Sequence, residues 1–442
     1  MGAWSEPGAC HDPDECTNGA TDVVACGFND RGAQARRCAM GAWSAPDACR
    51  DPDECTDGAL DALVCGLDRR GRQTRVCAVG AWGQPGACGD PDVCVDGAAE
   101  YAACEGGGTR VQRCVAGQWG PAGDCVPPPI ARIAAPDRRD MVHDARRQRV
   151  YITTSGTDGM VLSYDLATQQ FEAPLLSGGS FYGIDLSPDG DRLIVADASF
   201  TDDQSWVYVI DLVTGMARRI TFPRDNTDSG AFTAIFASNS QVLATTTTTN
   251  SGGTAMHRID VTTGVSEQIL GFDTRSVMLA RSPDGATVAW AEPNSSGGPC
   301  GRYDLAEQRF THRDIGVPVW EIAVDRTASR FAVPLPSKLA ILERNLHPQT
   351  ELGTPDRMPV GAVYSPVADE IYLAWFGAEI SIAAYRSDGL DKLRDIELVP
   401  GLLSPHGFFQ TAFVEARMKV SRDGHLLFVT MGDSVVVYPT GL

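Results

Sequence analysis

Two patterns of apolar and polar positions divide the chain. From about residue 130, short runs rich in Val, Ile, Thr and Tyr are broken by Ser-Pro-Asp-Gly turns, which predicts antiparallel strands joined by tight turns. Before residue 125 apolar runs are scarce. There, long polar side chains alternate at period two, as in the segment from Arg31 to Cys38 and its counterpart from Arg70 to Cys77, which predicts thin, exposed strands.

The second pattern repeats. The strand-turn-strand phrase from Ile184 to Val195 recurs from Leu279 to Trp290 and again from Lys419 to Val429. With weaker copies, the turn anchors fall at Asp144, Ser187, Ser238, Ser282, Asp325, Ser365 and Ser421, at intervals of 40 to 56 residues. That is the size of a four-stranded propeller blade. A third strand is legible from Val207 to Gly215, Met256 to Gly264 and Leu162 to Thr168, ending in Asp-x-x-Thr-Gly in the first two. The chain's last strand, Val435 to Pro439, lacks a fourth after it, and Ile130 to Ala134 is a spare strand before the first anchor. Pairing them closes a ring with no open edge. The fold class is therefore read as all-β: a seven-bladed β-propeller over residues 130–442, joined by a proline linker at 126–129 to an N-terminal array of small disulfide-rich repeats. These phrases resemble the YVTN, TolB-type and other WD40-like bacterial propellers, a resemblance that implies fold and leaves activity open.

In the N-terminal array, thirteen of the fourteen cysteines recur in a fixed rhythm. Cys16, Cys26, Cys38 and Cys49 are followed 39 residues on by Cys55, Cys65, Cys77 and Cys88, then by Cys94, Cys104, Cys114 and Cys125 with two residues deleted. The units are 16–49, 55–88 and 94–125. All twelve cysteines are read as disulfide-bonded, with three pairings possible per unit. Cys10 would close a partial unit 1–10, because the first four residues match Met40 to Trp43. Met1 accordingly reads as an internal methionine or a miscalled start, with Cys10 unpaired or mispaired. The Cys-Gly starts at Cys26 and Cys65, the Arg-x-Cys ends at Cys38 and Cys77, and Trp43, Trp82 and Trp119 resemble the thrombospondin type 1 repeat. That resemblance implies Trp and Arg layers between disulfides. Four cysteines replace the usual six, and Gln112 stands where Arg36 and Arg75 stand. The acidic entry from Asp51 to Cys55 looks like the opening of a calcium-binding EGF module, but the rest of that module is missing, so the carboxylates are read as solvated turns.

Four cysteines per unit of about 39 residues with little apolar core is a disulfide scaffold, which persists in oxidising compartments. The expected location is extracellular or cell-surface. A net charge of -20 argues against nucleic acid and anionic lipid as partners. No run of 18 apolar residues could span a membrane. Lysine is limited to Lys338, Lys392 and Lys419, a coding bias of GC-rich bacteria.

Candidate chemistry is sparse. There is no nucleophile elbow, phosphate-cradling loop, zinc-protease motif or dinucleotide fingerprint, and no cofactor or metal is expected. The polar loops 199–205, 225–230, 246–253 and 294–301 suit recognition or plain solvation. Four residues before the anchors, near the axis, stand Asp140, Gly183, Ala234, Met278, Glu321, Gly361 and Arg417. Asp140 and Arg417 are expected to form an ion pair across the ring closure. Asp140, Tyr182, Trp320, Glu321 and Arg417 are taken as the ligand-binding set. His143 could act as a base in a lactonase-like propeller if Glu321 and Arg417 met it. Cys300 is read as a loop thiol. The expected function is a monomeric binding or adhesion protein for a protein or glycan ligand; the alternatives are a lactonase- or hydrolase-type enzyme and an envelope scaffold.

Overall fold

The computed structural model describes residues 13–224, 228–248, 253–274, 276–293, 297–353, 357–377, 381–399, 403–404, 413 and 415–442. Cys10, Met1 and parts of the loops at 225–230, 246–253 and 294–301 lie outside the described residues. Two compact units result, one of residues 1–102 and 111–124 and the other of residues 103–110 and 125–442. No helix among the described residues is long and apolar enough to cross a membrane.

In the repeats, a hairpin carries each unit. Thr21–Cys26 pairs with Gly32–Ala39, and Leu60–Cys65 with Gly71–Ala78. The first cysteine of each unit bonds the third and the second bonds the fourth: Cys16–Cys38 and Cys26–Cys49, Cys55–Cys77 and Cys65–Cys88, Cys94–Cys114 and Cys104–Cys125. Each such bridge contributes about 2–4 kcal/mol by restricting the unfolded chain. Between them Arg36 lies over Trp43 and Arg75 over Trp82, at 4.7 and 4.8 Å. The same arginines reach across the hairpin from Nε to Asp22 and Asp61, at 2.8 and 2.9 Å. In the third unit the pair is Gln112 to Glu100, at 2.7 Å. The neutral donor and the longer acid thus change together, and the cross-strand bond survives.

The acidic entries are not solvated turns. Asp51 Oδ2 accepts from the Phe28 amide of the preceding unit at 2.5 Å, and Asp90 Oδ2 accepts from Leu67 at 2.6 Å. Asp53 accepts from Asn29, and Asp92 from Arg70, each at 2.7 Å; these two side chains are only 6% and 3% exposed. Carboxylates buried this far are kept by charge-assisted bonds, so the Asp-Pro-Asp motif ties one unit to the unit before it.

After the repeats, the described residues form seven antiparallel sheets of four main strands. The second illustrates the order: Phe181–Leu186, Arg192–Phe200, Gln204–Asp211 and Ala217–Pro223, each paired with the next. Its first turn is built by side chains. Ser187 donates to Asp189 at 2.5 Å and accepts from the Arg192 amide at 3.0 Å, while Gly190 takes the positive φ of 75° that an L side chain resists. Ser282 and Ser421 repeat the device with Asp284 and Asp423. At the other turn Asp211 and Asp260 cap two amides each, Val213 and Thr214 or Thr262 and Thr263.

The first strand of each sheet contacts the first strand of the next, and Met418–Val420 contacts Arg138–Asp144, so the series closes on itself. The last sheet is completed by Ala131–Ala134, which pairs antiparallel with Ser434–Pro439. The chain forms an all-β propeller. Its core lies between facing sheets: Ile133, Met141, Val150, Phe428 and Val435 fill the gap at the closure, and Ile194, Val207, Phe222, Phe236 and Val242 fill that between the second and third sheets.

Candidate functional site

The seven axial positions are all buried, and two devices aim their side chains. Register shifts interrupt the first strands at Arg138/Met141, Phe181/Ile184, Ala231/Thr233 and Pro359/Gly361. Such bulges re-aim side chains and remove backbone groups from the ladder. Threonines on the neighbouring strands bind amides at or beside the axial positions, in the last sheet without a register shift: Thr153 Oγ1 accepts from the Asp140 amide at 3.0 Å, Thr245 Oγ1 from Thr233 at 3.3 Å, and Thr430 Oγ1 from Arg417 at 2.8 Å.

Arg417 occupies the axis. Its Nε donates to Asp140 Oδ1 at 3.1 Å, its Nη1 to Glu321 Oε1, and its Nη2 to the Leu279 carbonyl at 3.4 Å. One guanidinium therefore links the last sheet to the first, fourth and fifth. Asp140 also accepts from the Ile184 amide of the second sheet, at 3.4 Å. Burial works against the Asp140 carboxylate, but Arg417 and Lys419 outweigh it and hold the group below its usual range. Burial dominates at Glu321, whose carboxyl is pushed up to about 7 although Arg417 pulls the other way. Glu321 Oε2 has no hydrogen-bond partner.

A cavity of about 270 Å³ opens beside this network. All seven sheets contribute to its lining, through residues that lead into the first turn of each sheet, among them His143, Asp185, Ile235, Arg281, Glu321, Tyr364 and Lys419. Side-chain volume explains why it opens at this end of the axis. Ala280, Ala323 and Ala362 line it, whereas Phe232 and Met278 of the first strands form a packed cluster with Phe413, and Tyr182 packs against them. In that cluster Phe232 and Phe413 stand 5.1 Å apart, and Tyr182 lies 5.6 and 5.9 Å from them.

The sequence-predicted set divides accordingly. Glu321 and Arg417 line the cavity, and Asp140 stands behind them. Tyr182 belongs to the aromatic cluster, with Arg139 over its ring at 5.1 Å. Trp320 is buried and is not in the lining. His143 does reach the cavity that holds Glu321 and Arg417. Its ring packs on Phe428 with centroids 4.9 Å apart, neither ring nitrogen has a partner, and burial lowers its pKa against the opposing pull of Asp423 and Asp144. The cavity residues Arg281, Tyr364 and Lys419 were not singled out from sequence; their signal was position, since each lies one or two residues before an anchor. Cys300 is not a loop thiol but sits fully buried in the strand Pro299–Asp304, where burial pushes it up to about 12 and leaves it inert. Among the described residues no group of three His, Cys, Asp or Glu could hold a metal ion.

No family model matches the chain, and no curated protein matches it. Solved structures do, with 1322 matching chains, so the fold is a common one and by itself points to no single activity. A chain of the "Crystal Structure of Mitotic Checkpoint Complex" matches with a TM-score of 0.52 and 16% identity, over 70% of this chain and 91% of that one. At that identity the likeness is one of fold: this chain is similar to a WD40-like propeller.

Proposed function

We propose that this is an extracellular or cell-surface binding protein, serving in adhesion, in which disulfide-bonded repeats are joined to a propeller that takes its ligand in the axial cavity. Six disulfides suit an oxidising compartment. The observation that carries the reading is the cavity itself, to which all seven sheets contribute and which is lined by Glu321, whose Oε2 has no protein partner. Such a group costs about 1–3 kcal/mol when left unsatisfied, and a concave site with few convergent polar groups is the form a ligand pocket takes. The test is a glycan, small-metabolite and protein binding screen on the full chain, with metal analysis of the same sample. Ligands are expected to be lost in Lys419→Met; a ligand retained at full affinity in that variant places recognition elsewhere.

A second reading is favoured by the pairing of His143, shifted down, with Glu321, shifted up to about 7. One cavity is then lined by an imidazole whose pKa burial lowers and a carboxyl whose pKa burial raises, the two kinds of group general acid-base chemistry needs. Turnover of a lactone or ester that disappears in both His143→Gln and Glu321→Gln would establish it.

A further inference from the structure

We infer that the axial cavity takes a small aliphatic monocarboxylate, whose carboxylate meets Lys419 with Arg281 and Arg422 beside it and whose hydrocarbon body lies against an aliphatic wall. This rests on the ligand-binding reading above and names the class of ligand.

The cations are the first observation. The chain carries 57 acidic against 37 basic residues and only three lysines, yet one of those lysines and three arginines line this one cavity. They differ in what engages them. Arg417 is buried and bound to Asp140, Glu321 and the Leu279 carbonyl. The Lys419 side chain is 25% exposed, and its Nζ stands 4.0 Å from Asp140 Oδ1, beyond a hydrogen bond; among the described residues the ammonium has no hydrogen-bond partner. Half-buried Arg281 donates once, to the Phe236 carbonyl at 2.8 Å, and exposed Arg422 once, to the Pro188 carbonyl at 3.1 Å. That last contact joins the first turns of the last and second sheets, which are not neighbours in the ring, so it sets the Arg422 guanidinium at the axial mouth. A guanidinium has five N–H groups and an ammonium three, so all three residues keep donors for an incoming carboxylate.

Charge then fixes the valence. With Asp140 behind the lining, four cations face the three acids Asp140, Asp185 and Glu321, and one further negative charge balances them. A dianion such as hydrogen phosphate would exceed that balance. Among the charged lining residues that keep accessible surface, Arg281, Lys419 and Arg422 stand against Asp185 alone, whose Oδ2 already accepts from the Phe236 amide at 2.9 Å. A basic cavity in so acidic a chain selects anions.

The wall decides the rest of the ligand. Val142, Leu186, Ala280, Val363 and Val420 line the cavity and keep part of their surface accessible, and they come from five different sheets, so aliphatic surface is offered from most sides. A hydroxyl set against these side chains would lose its water without gaining a partner, whereas each CH2 buried there is favourable. A volume of about 270 Å³ lies at the lower edge of the roughly 300–1,000 Å³ of small-molecule pockets, which suits a short chain.

Calorimetric titration of the full chain with acetate, butyrate, hexanoate, 1-hexanol and inorganic phosphate tests this. Hexanoate is expected to bind ten-fold or more tightly than 1-hexanol and phosphate, with affinity rising from acetate to hexanoate by about two- to four-fold per CH2. Lys419→Met is expected to bring hexanoate down to the level of hexanol, and Arg422→Gln, at an exposed position that leaves folding intact, to weaken it several-fold. Hexanol, phosphate or acetate binding as tightly as hexanoate would overturn the ligand class, and loss of that binding in Lys419→Met would leave the axial-cavity reading standing. Hexanoate binding that neither variant alters would overturn both. If no carboxylate binds while another ligand from the screen is lost in Lys419→Met, the class falls and the binding reading stands; if no ligand depends on Lys419, both fall.

Discussion

Arg417 Nε donates to Asp140 Oδ1 at 3.1 Å across 277 residues of sequence, at the junction where the last sheet meets the first. The pair is fully buried with Glu321 as third member, and such a cluster is sensitive to losing one partner while tolerant of losing all. Arg417→Met is therefore expected to cost about 3–5 kcal/mol, by leaving two buried acids with only Lys419 near them. Adding Asp140→Asn and Glu321→Gln to Arg417→Met is expected to recover most of the loss. Denaturant unfolding of the single and triple variants checks this; a triple variant no more stable than the single one would mean that packing of the arginine stem, and not charge, is what was lost.

Glu321 should give the fold a pH dependence of opposite sign to the usual carboxylate. Burial raises its folded pKa to about 7 from an ordinary 4.5, with Asp140 adding to the rise and Arg417 and Lys419 opposing it. Between these values the folded chain holds a proton that the unfolded chain has released, so stability falls as pH rises through that window and levels off above about 7. Asp140, held low, acts the other way: its contribution is present above the ordinary carboxylate range and is lost as pH falls through its folded pKa. Glu321→Gln is expected to gain on the wild type by on the order of 2–3 kcal/mol between pH 4.5 and 8. Unfolding free energies of both proteins across that range check it, and parallel curves would show that Glu321 stays ionised throughout.

The turns of the propeller could be read directly because their chemistry is local: Ser187, Asp189 and Gly190 carry hydrogen bonds and a backbone angle that need no partner from elsewhere. The axial positions were legible for a related reason, since each lies at a constant offset from a turn and period-two alternation carries them to one face. What sequence did not reveal depends on volume and on distant pairing. The long polar loops drew attention, whereas the cavity is set by Ala280, Ala323 and Ala362 lining one region while Phe232 and Phe413 fill another. Disulfide pairing was likewise out of reach, because Cys26 bonds Cys49 and not Cys38 only once the hairpin places Cys26 opposite Gly32. The buried role of Asp53 required knowing that Asn29 of the preceding unit stands against it.

The closure strand offers a third test. Ile133 pairs with Val435 and packs, 1% exposed, among Met141, Phe428 and Val437. Ile133→Ala removes apolar contact on both sides of the junction and is expected to cost about 2–5 kcal/mol. Hydrogen exchange should quicken first at Val435 to Val437, whose amides and carbonyls pair with this strand. Uniform quickening across the sheets, with no lead at those residues, would mean that the closure opens only with the whole fold.

In the repeats, the junction glycines are tied to the acidic motif by geometry. Gly66 has φ 76° and ψ -171°, a conformation that costs other residues about 1–3 kcal/mol. A Cβ there would also meet Asp90 Oδ2 at 2.2 Å, the oxygen that accepts from the Leu67 amide at 2.6 Å. Gly66→Ala must therefore both strain the backbone and displace the carboxylate, while Asp90→Ala leaves the backbone conformation alone and loses this bond, at about 1–3 kcal/mol, together with the one that Asp90 Oδ1 accepts from the Asp92 amide at 3.1 Å. Because the two changes break the same contact, the double variant should be less destabilised than the sum of the singles. Hydrogen exchange of the segment from Cys65 to Gly71 in the three variants measures the local opening. Full additivity would separate the glycine from the carboxylate and leave backbone conformation as its only role.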